Sequence, residues 1–165
     1  MDKLLRKLGI SEETIREMKE MCPYITELRE SELIEKINIL KILSCNDTQI
    51  RDIISSNPFY LDRIDTDVNK LIDKLKAAGI DRVDILLEEN PYALNLDAFE
   101  IDDLMTKMKE LGFVDMASLL ADNPYILNLA GFEIEDYIRK REEGGELRED
   151  IIEDMSEDPS IFFEV

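Results

Sequence analysis

Adjacent carboxylates are the residues of this chain whose types and spacing are best suited to chemistry. Two neighbouring carboxyl groups can act as a general acid and a general base, or coordinate a hard cation such as Ca²⁺. Examples of such pairs are Asp102–Asp103, Glu135–Asp136, Glu142–Glu143, Glu149–Asp150 and Glu153–Asp154. On amphipathic helices such pairs usually form a solvated face, and no glycine-rich nucleotide-binding loop accompanies them. We therefore interpret them as surface charge.

Other catalytic and metal-binding arrangements are also missing from the sequence. The chain has no histidine, which excludes Ser-His-Asp triads, Cys-His pairs and histidine-based zinc sites. The segment from Asp65 begins like an EF-hand loop, but Lys70 and Lys76 stand where that loop requires glycine and glutamate. Asp65 is better interpreted as a cap for the helix that follows. The sequence predicts no enzyme activity, no cofactor, no metal and no small-molecule substrate.

The charge of the chain is strongly negative and unevenly distributed. Residues 1–80 hold 15 acidic and 13 basic side chains, net −2, whereas residues 81–165 hold 24 and 7, net −17. Such a surface repels phosphate backbones, because nucleic-acid affinity comes largely from cations. The charge therefore favours a basic protein surface as the partner and disfavours nucleic acid. The candidate partner-binding residues are Glu100, Asp102, Asp103, Glu133, Glu135 and Asp136.

Composition also bears on the compartment. No apolar run reaches the roughly 18 residues of a membrane span, and the first residues lack the pattern of a signal peptide or an Arg-rich presequence. Cys22 and Cys45 form no CxxC motif, so we expect two partly buried thiols in a reducing compartment, with a disulfide as the alternative. The sequence predicts a cytoplasmic protein without membrane contact.

The spacing of the prolines predicts the elements that carry these charges. All five prolines, at 23, 58, 91, 124 and 159, are 33 or 35 residues apart. Apolar residues at helical spacing precede them, such as Val83 and Leu86, and predict a short helix B before each proline. The Asn-Pro phrase then predicts an Asn cap and a single 3₁₀ turn. The aromatic residue after each proline is expected to fill the seam beside the turn: Tyr24, Phe59, Tyr92 and Tyr125.

A longer helix A is predicted after each turn. Ile101, Leu104 and Met108 follow one face of an amphipathic helix. Gly79, Gly112 and the Gly144–Gly145 pair are expected to close these helices in a left-handed conformation. Residues 79–111 and 112–144 are identical at roughly half of their positions, which indicates internal duplication.

The predicted fold is therefore all-α, a helical-repeat solenoid with two helices and a 3₁₀-like turn in each repeat of about 33 residues. We expect one domain over 1–165, with half-repeats at 1–28 and 145–165 and fuller repeats at 29–64, 65–96 and 97–129. The segment Ile161–Phe163 is predicted to pack on the last full repeat. The final Phe163-Glu164-Val165 loosely fits a β-augmentation ligand as an alternative.

The repeated motifs resemble those of the mitochondrial transcription termination factor family, mTERF. The residues that match the family motifs are Leu8-Gly9-Ile10 to Pro23; Ile53-Ile54, Asn57-Pro58 and Leu61; Gly79-Ile80, Leu86-Leu87, Pro91 and Leu94; and Leu111-Gly112-Phe113, Leu119-Leu120, Pro124 and Leu127. The resemblance implies a curved, left-handed superhelix with a concave groove. It also implies nucleic-acid binding in that groove through Arg and Lys, in organellar gene expression.

Three functions follow from these observations. The first is a non-enzymatic scaffold whose acidic half holds a basic protein. The second is nucleic-acid binding by a basic strip in the N-terminal half. That strip would draw on Lys3, Arg6, Lys7, Arg16, Lys19, Lys36, Lys41, Arg51, Lys70, Lys74 and Lys76. The third is an acidic mimic of nucleic acid that inhibits a DNA-binding protein.

Overall fold

The computed structural model describes residues 1–163, which form ten α-helices and five 3₁₀ turns. The helices are α1 (Asp2–Lys7), α2 (Glu12–Met21), α3 (Glu30–Ile42), α4 (Asp47–Ser56), α5 (Asp65–Ala77), α6 (Val83–Glu89), α7 (Ala98–Leu111), α8 (Met116–Asp122), α9 (Gly131–Glu143) and α10 (Arg148–Glu157). The turns are Pro23–Thr26, Pro58–Asp62, Pro91–Asn95, Pro124–Asn128 and Pro159–Phe163. Residues 1–163 contain no strand, and the predicted all-α helical repeat is confirmed.

Each repeat consists of a helix A, a helix B and a turn. From α3 onward helix A has 13 or 14 residues, while every helix B, from α2 to α10, has 7 to 10. Helix α9 packs against α10, so the last turn completes a whole repeat that begins at Gly131. At the other end, the 6-residue α1 stands in the place of a long helix A.

A left-handed residue closes each helix A. Gly9, Gly79, Gly112 and Gly145 have φ angles of 86°, 92°, 114° and 96°. This confirms the predicted left-handed corners at Gly79, Gly112 and the Gly144–Gly145 pair, and adds one at Gly9. The corner between α3 and α4 is formed instead by Ser44, with φ 71°. A search for glycine could not find this corner.

The turns bury different residues from those predicted. The residue two places after proline is fully buried in four turns, at Ile25, Tyr60, Ala93 and Ile126. The aromatic residue directly after proline is 39–45% exposed at Tyr24, Phe59, Tyr92 and Tyr125, so the prediction that it fills the seam was wrong. A 3₁₀ helix has three residues per turn, and when the second and third residues after proline face the core, the first faces solvent.

The asparagine before proline also acts differently from the predicted cap. Neither Asn57 nor Asn123 makes a side-chain cap hydrogen bond at its turn. Asn57 is fully buried, and its Nδ2 donates to the Pro91 carbonyl oxygen (2.8 Å) and to Asn95 Oδ1 (3.0 Å). The Asn57 amide therefore joins two consecutive turns.

Contacts between Cα atoms divide the chain into two compact units. The N-terminal unit comprises Met1–Lys70 and Arg82–Asn95, and the C-terminal unit comprises Leu71–Asp81 and the chain from Leu96 onward. Cys22 and Cys45, both in the N-terminal unit, are buried free thiols. No helix within residues 1–163 is long and apolar enough to cross a membrane.

Of the segment Ile161–Phe163, which was predicted to pack on the last full repeat, Phe162 packs in the C-terminal unit. Phe162 is fully buried, and its ring centroid lies 5.7 Å from that of Phe113. Phe163 is mostly exposed. Glu164 and Val165, which carry the proposed β-augmentation end, lie outside the described residues.

Candidate functional site

The six candidate acids lie on α7 and α9, which pack side by side in the C-terminal unit. Two of them cap the N-termini of their helices. Glu100 Oε2 accepts a hydrogen bond from the Asp97 backbone N–H (2.6 Å), and Glu133 Oε2 accepts one from the Ala130 N–H (2.7 Å). Each bond satisfies a donor that the first turn of a helix leaves unpaired.

Three other candidate acids form ion pairs within the chain. Asp102 lies 2.6 Å from Lys74 Nζ, and Glu135 lies 3.3 Å from Lys107 Nζ. Asp136 accepts hydrogen bonds from Lys140 and Arg139, which lower the pKa of its carboxyl group. Within residues 1–163, Asp103 makes no ion pair. The structure thus brings the six acids onto neighbouring helices, but internal cations neutralise half of them.

Two exposed phenylalanines occupy equivalent positions on the same helices. Phe99 and Phe132 are the second residues of α7 and α9, and they are 68% and 69% exposed. Both line a cleft of about 330 Å³ together with Glu100, Asp103 and Leu129. We call this site the aromatic cleft.

Close approach of α9 to α7 shapes the cleft. A Cβ atom at Gly131, the first residue of α9, would lie only 2.7 Å from Lys107 Cβ, so only glycine allows this separation. Sequence reasoning found Phe99 and Phe132 only as identical positions of the duplication. The feature of the sequence that could have indicated this cleft is a large apolar residue on the polar side of an amphipathic helix.

Most cations of the predicted basic strip are neutralised by acids. Seven of its eleven members form ion pairs: Arg6 with Glu12, Arg16 with Glu13, Lys19 with Asp2, Lys36 with Asp65, Arg51 with Asp52, Lys70 with Asp67 and Lys74 with Asp102. These cations are interspersed with carboxylates. The arrangement offers phosphate groups little free positive charge.

Lys36 is not available at the surface at all. Its side chain is buried, and its Nζ donates to the Asp65 carboxylate and to the Arg63 carbonyl oxygen. The ammonium group lies 5.7 Å from the centre of the Tyr60 ring, and the Tyr60 hydroxyl donates to the Lys36 carbonyl oxygen (2.9 Å). Asp65, predicted as a cap, is the first residue of α5 and serves as the partner of this buried cation.

The carboxylate pairs do not assemble into a metal site in the part of the chain that the structure describes. Within residues 1–163, no three Cys, Asp or Glu side chains converge in a geometry that could hold an ion. The arrangement of α7 and α9 supports recognition of another molecule: an apolar cleft with carboxylates at its edge.

The model of the mTERF family matches residues 2–139. This range includes helices α1 to α8 and most of α9. No curated protein matches the chain.

Proposed function

The chain belongs to the mTERF family of helical-repeat proteins, and from this premise we propose that it is a non-enzymatic binding scaffold that holds a basic protein. The aromatic cleft is the observation that carries this proposal. Exposed aromatic side chains are common anchors of protein interfaces, where a few buried residues supply most of the binding free energy.

The surroundings of the cleft favour a basic partner. Glu100 and Asp103 line the cleft, while Asp102, Glu135 and Asp136 lie on the same two helices. Protein interfaces commonly combine an apolar centre with a polar rim, and complementary charge directs the choice of partner. A Lys or Arg of the partner could replace the exposed internal cations, whose pairs contribute little in water.

The test compares partner capture by three forms of the chain. Proteins retained at about 50 and 150 mM salt are identified for the wild type, for Phe99→Ala/Phe132→Ala and for Tyr125→Ala. Tyr125 is a matched control, because it is an exposed aromatic outside the cleft. A basic protein retained by the wild type and Tyr125→Ala, but lost from the double variant, is the expected result. Nucleic acid recovered in place of protein would contradict the proposal.

Nucleic-acid binding is the second candidate, and the family match favours it. In the N-terminal unit, Lys3, Lys7 and Lys41 make no ion pair with any acid of residues 1–163 and could contact phosphates. Fluorescence anisotropy with duplex and single-stranded oligonucleotides at increasing salt would test this function. A binding constant whose logarithm falls linearly with the logarithm of the salt concentration would support it. Loss of binding in Lys3→Glu/Lys7→Glu would support it as well.

The proposed compartment is the cytoplasm, supported by the free, buried state of Cys22 and Cys45. Fluorescence imaging of the chain with a C-terminal tag tests this. Accumulation of the tagged chain in an organelle would overturn it.

A further inference from the structure

A second concave surface lies between α8 and α10 in the C-terminal unit. It is a groove of about 600 Å³, lined by Leu111, Phe113, Leu119 and Ile152 on its apolar side. In the N-terminal unit the corresponding B helices pack along one another, α2 on α4 and α4 on α6. Residues of α8 and α10 line the two sides of the groove.

The connection between turns is loosened at the same junction. Asn57 joins its turn to the next through the Pro91 carbonyl, whereas Asn123, the equivalent residue before Pro124, makes no side-chain hydrogen bond within residues 1–163. The link that Asn57 provides between consecutive turns is therefore not formed by Asn123 within residues 1–163.

The apolar character of the groove is specific to the last repeat. Ile152 stands seven residues before Pro159, where the earlier repeats have Arg16, Arg51, Asp84 and Ala117. Its Cδ1 would lie 3.2 Å from a Cβ at Gly112, so it closes one side of the groove against the glycine corner. Val114, at the rim, is 93% exposed.

The rim of the groove carries negative charge that no cation within residues 1–163 neutralises. Asp122, Glu149 and Glu153 line it, and none of the three forms an ion pair within residues 1–163. Arg148 also lines the groove, but its guanidinium donates to both carboxylate oxygens of Glu142 at 2.9 Å. The groove acids thus differ from the six candidate acids of α7 and α9, half of which form ion pairs with internal cations.

We propose that this groove binds an amphipathic helix of a partner protein, with its apolar face on Ile152 and Val114 and its Lys or Arg residues beside the rim carboxylates. An apolar floor of this size accepts a few side chains, and helices dock in such grooves through residues at i, i+3, i+4 and i+7. The rim carboxylates complement a basic helix and repel an acidic one, so the sign of the charge selects the partner. The proposal does not depend on binding at the aromatic cleft.

The experiment uses the full chain and two synthetic helical peptides of about 15 residues. Both peptides have leucine at i, i+3, i+4 and i+7, one with lysine and the other with glutamate at the remaining positions. Calorimetric titration should detect binding of the lysine peptide only. Methyl NMR spectra should show that peptide shifting the resonances of Val114 and Ile152.

Two variants place the binding at the groove. Glu149→Gln/Glu153→Gln removes two rim charges and should lower the affinity for the lysine peptide about three- to tenfold. Val114→Lys should lower this affinity by a similar factor. Phe99→Ala/Phe132→Ala is the control and should bind with wild-type affinity. Circular dichroism melts verify that each variant is folded.

The proposal is overturned if the wild type does not bind the lysine peptide or binds both peptides equally. It is also overturned if the rim variants bind like the wild type, or if only Phe99→Ala/Phe132→Ala loses binding. That last outcome would support the aromatic cleft as the basic-partner site, so the two proposals fail separately.

Discussion

At the scale of single residues, Ser44 shows how strongly the repeat requires a left-handed corner. It adopts φ 71° at the position where four other repeats have glycine. A left-handed conformation costs an L-residue with a Cβ roughly 1–2 kcal/mol, a cost that glycine does not incur. The surrounding helices therefore impose the corner even on an unfavourable residue.

The corner residues lead to a pair of opposite predictions. Gly79→Ala should lower the free energy of unfolding by about 1–2 kcal/mol, since φ is 92° and the new Cβ would lie 3.1 Å from Ala117 Cβ. Ser44→Gly should leave stability unchanged or raise it by up to about 1 kcal/mol, because relief of strain outweighs the added freedom of the unfolded chain. Urea denaturation measures both. A stabilised Gly79→Ala protein would contradict the requirement for the corner.

Asp84 gives a prediction about pH at the same scale. Its buried carboxylate accepts two hydrogen bonds from the Arg82 guanidinium, at 2.9 and 2.7 Å, and these lower the pKa of the carboxyl group. A pKa lowered by folding stabilises the protein above the unfolded value, and this contribution is lost as pH falls through the folded value. Asp84→Asn should therefore destabilise the chain at neutral pH and matter less near about pH 3.

Denaturant unfolding of the wild type and Asp84→Asn across this pH range tests the prediction. Asp103→Asn is the control, because Asp103 is exposed and has no ion pair within residues 1–163. An equal loss of stability by Asp84→Asn at all pH values would show that the carboxylate charge is not responsible.

At the scale of elements, successive 3₁₀ turns are connected through buried asparagine. Asn57→Ala removes three hydrogen bonds: the two that Asn57 Nδ2 donates to the Pro91 carbonyl and to Asn95 Oδ1, and the one that Asn57 Oδ1 accepts from Asn95 Nδ2. Burying unpaired polar groups costs about 1–3 kcal/mol, and we expect a loss of stability in this range.

Asn123→Ala is the matched comparison for this prediction. Asn123 precedes Pro124 in the same sequence context but makes no side-chain hydrogen bond within residues 1–163. Thermal and urea unfolding should show a clearly smaller loss for Asn123→Ala than for Asn57→Ala. Equal losses would assign the effect to the local Asn-Pro conformation instead of the link between turns.

Sequence alone predicted the helices and glycine corners well, because apolar periodicity and glycine act locally. It misplaced Tyr92 and Asn57 because the inner side of a turn depends on the neighbouring repeat, which the Asn-Pro-aromatic phrase does not encode. The candidate site shows the same limit. Asp102 could be predicted as a surface acid, but its pairing with Lys74 depends on how α5 and α7 align. The groove between α8 and α10 could not be predicted either, because it depends on how these two helices lie relative to each other.

At the scale of the whole molecule, a net charge of −19 opposes folding through repulsion between carboxylates. The excess lies in residues 81–165, and Asp122, Glu149 and Glu153 of the groove form no ion pair within residues 1–163. Salt screens such repulsion, with a Debye length near 10 Å at 0.1 M. The thermal midpoint should therefore rise between about 10 and 500 mM NaCl.

A charge variant distinguishes repulsion from general effects of salt. Glu149→Lys/Glu153→Lys reduces the negative charge at the groove, so its midpoint should rise less with salt than that of the wild type. Differential scanning calorimetry measures both proteins. A midpoint that falls as salt is added would mean that the internal ion pairs outweigh the repulsion.

The glycine corners have a further consequence for how the gene can change in length. Gly79 and Gly112 follow equivalent helices and share a left-handed backbone, so joining Ala78 directly to Gly112 would remove 33 residues and restore the same corner. Such a deletion should yield a folded protein one helix pair shorter, visible as a cooperative melt in circular dichroism. Recombination between these two related segments would then add or remove whole repeats, and the protein could evolve in steps of one period.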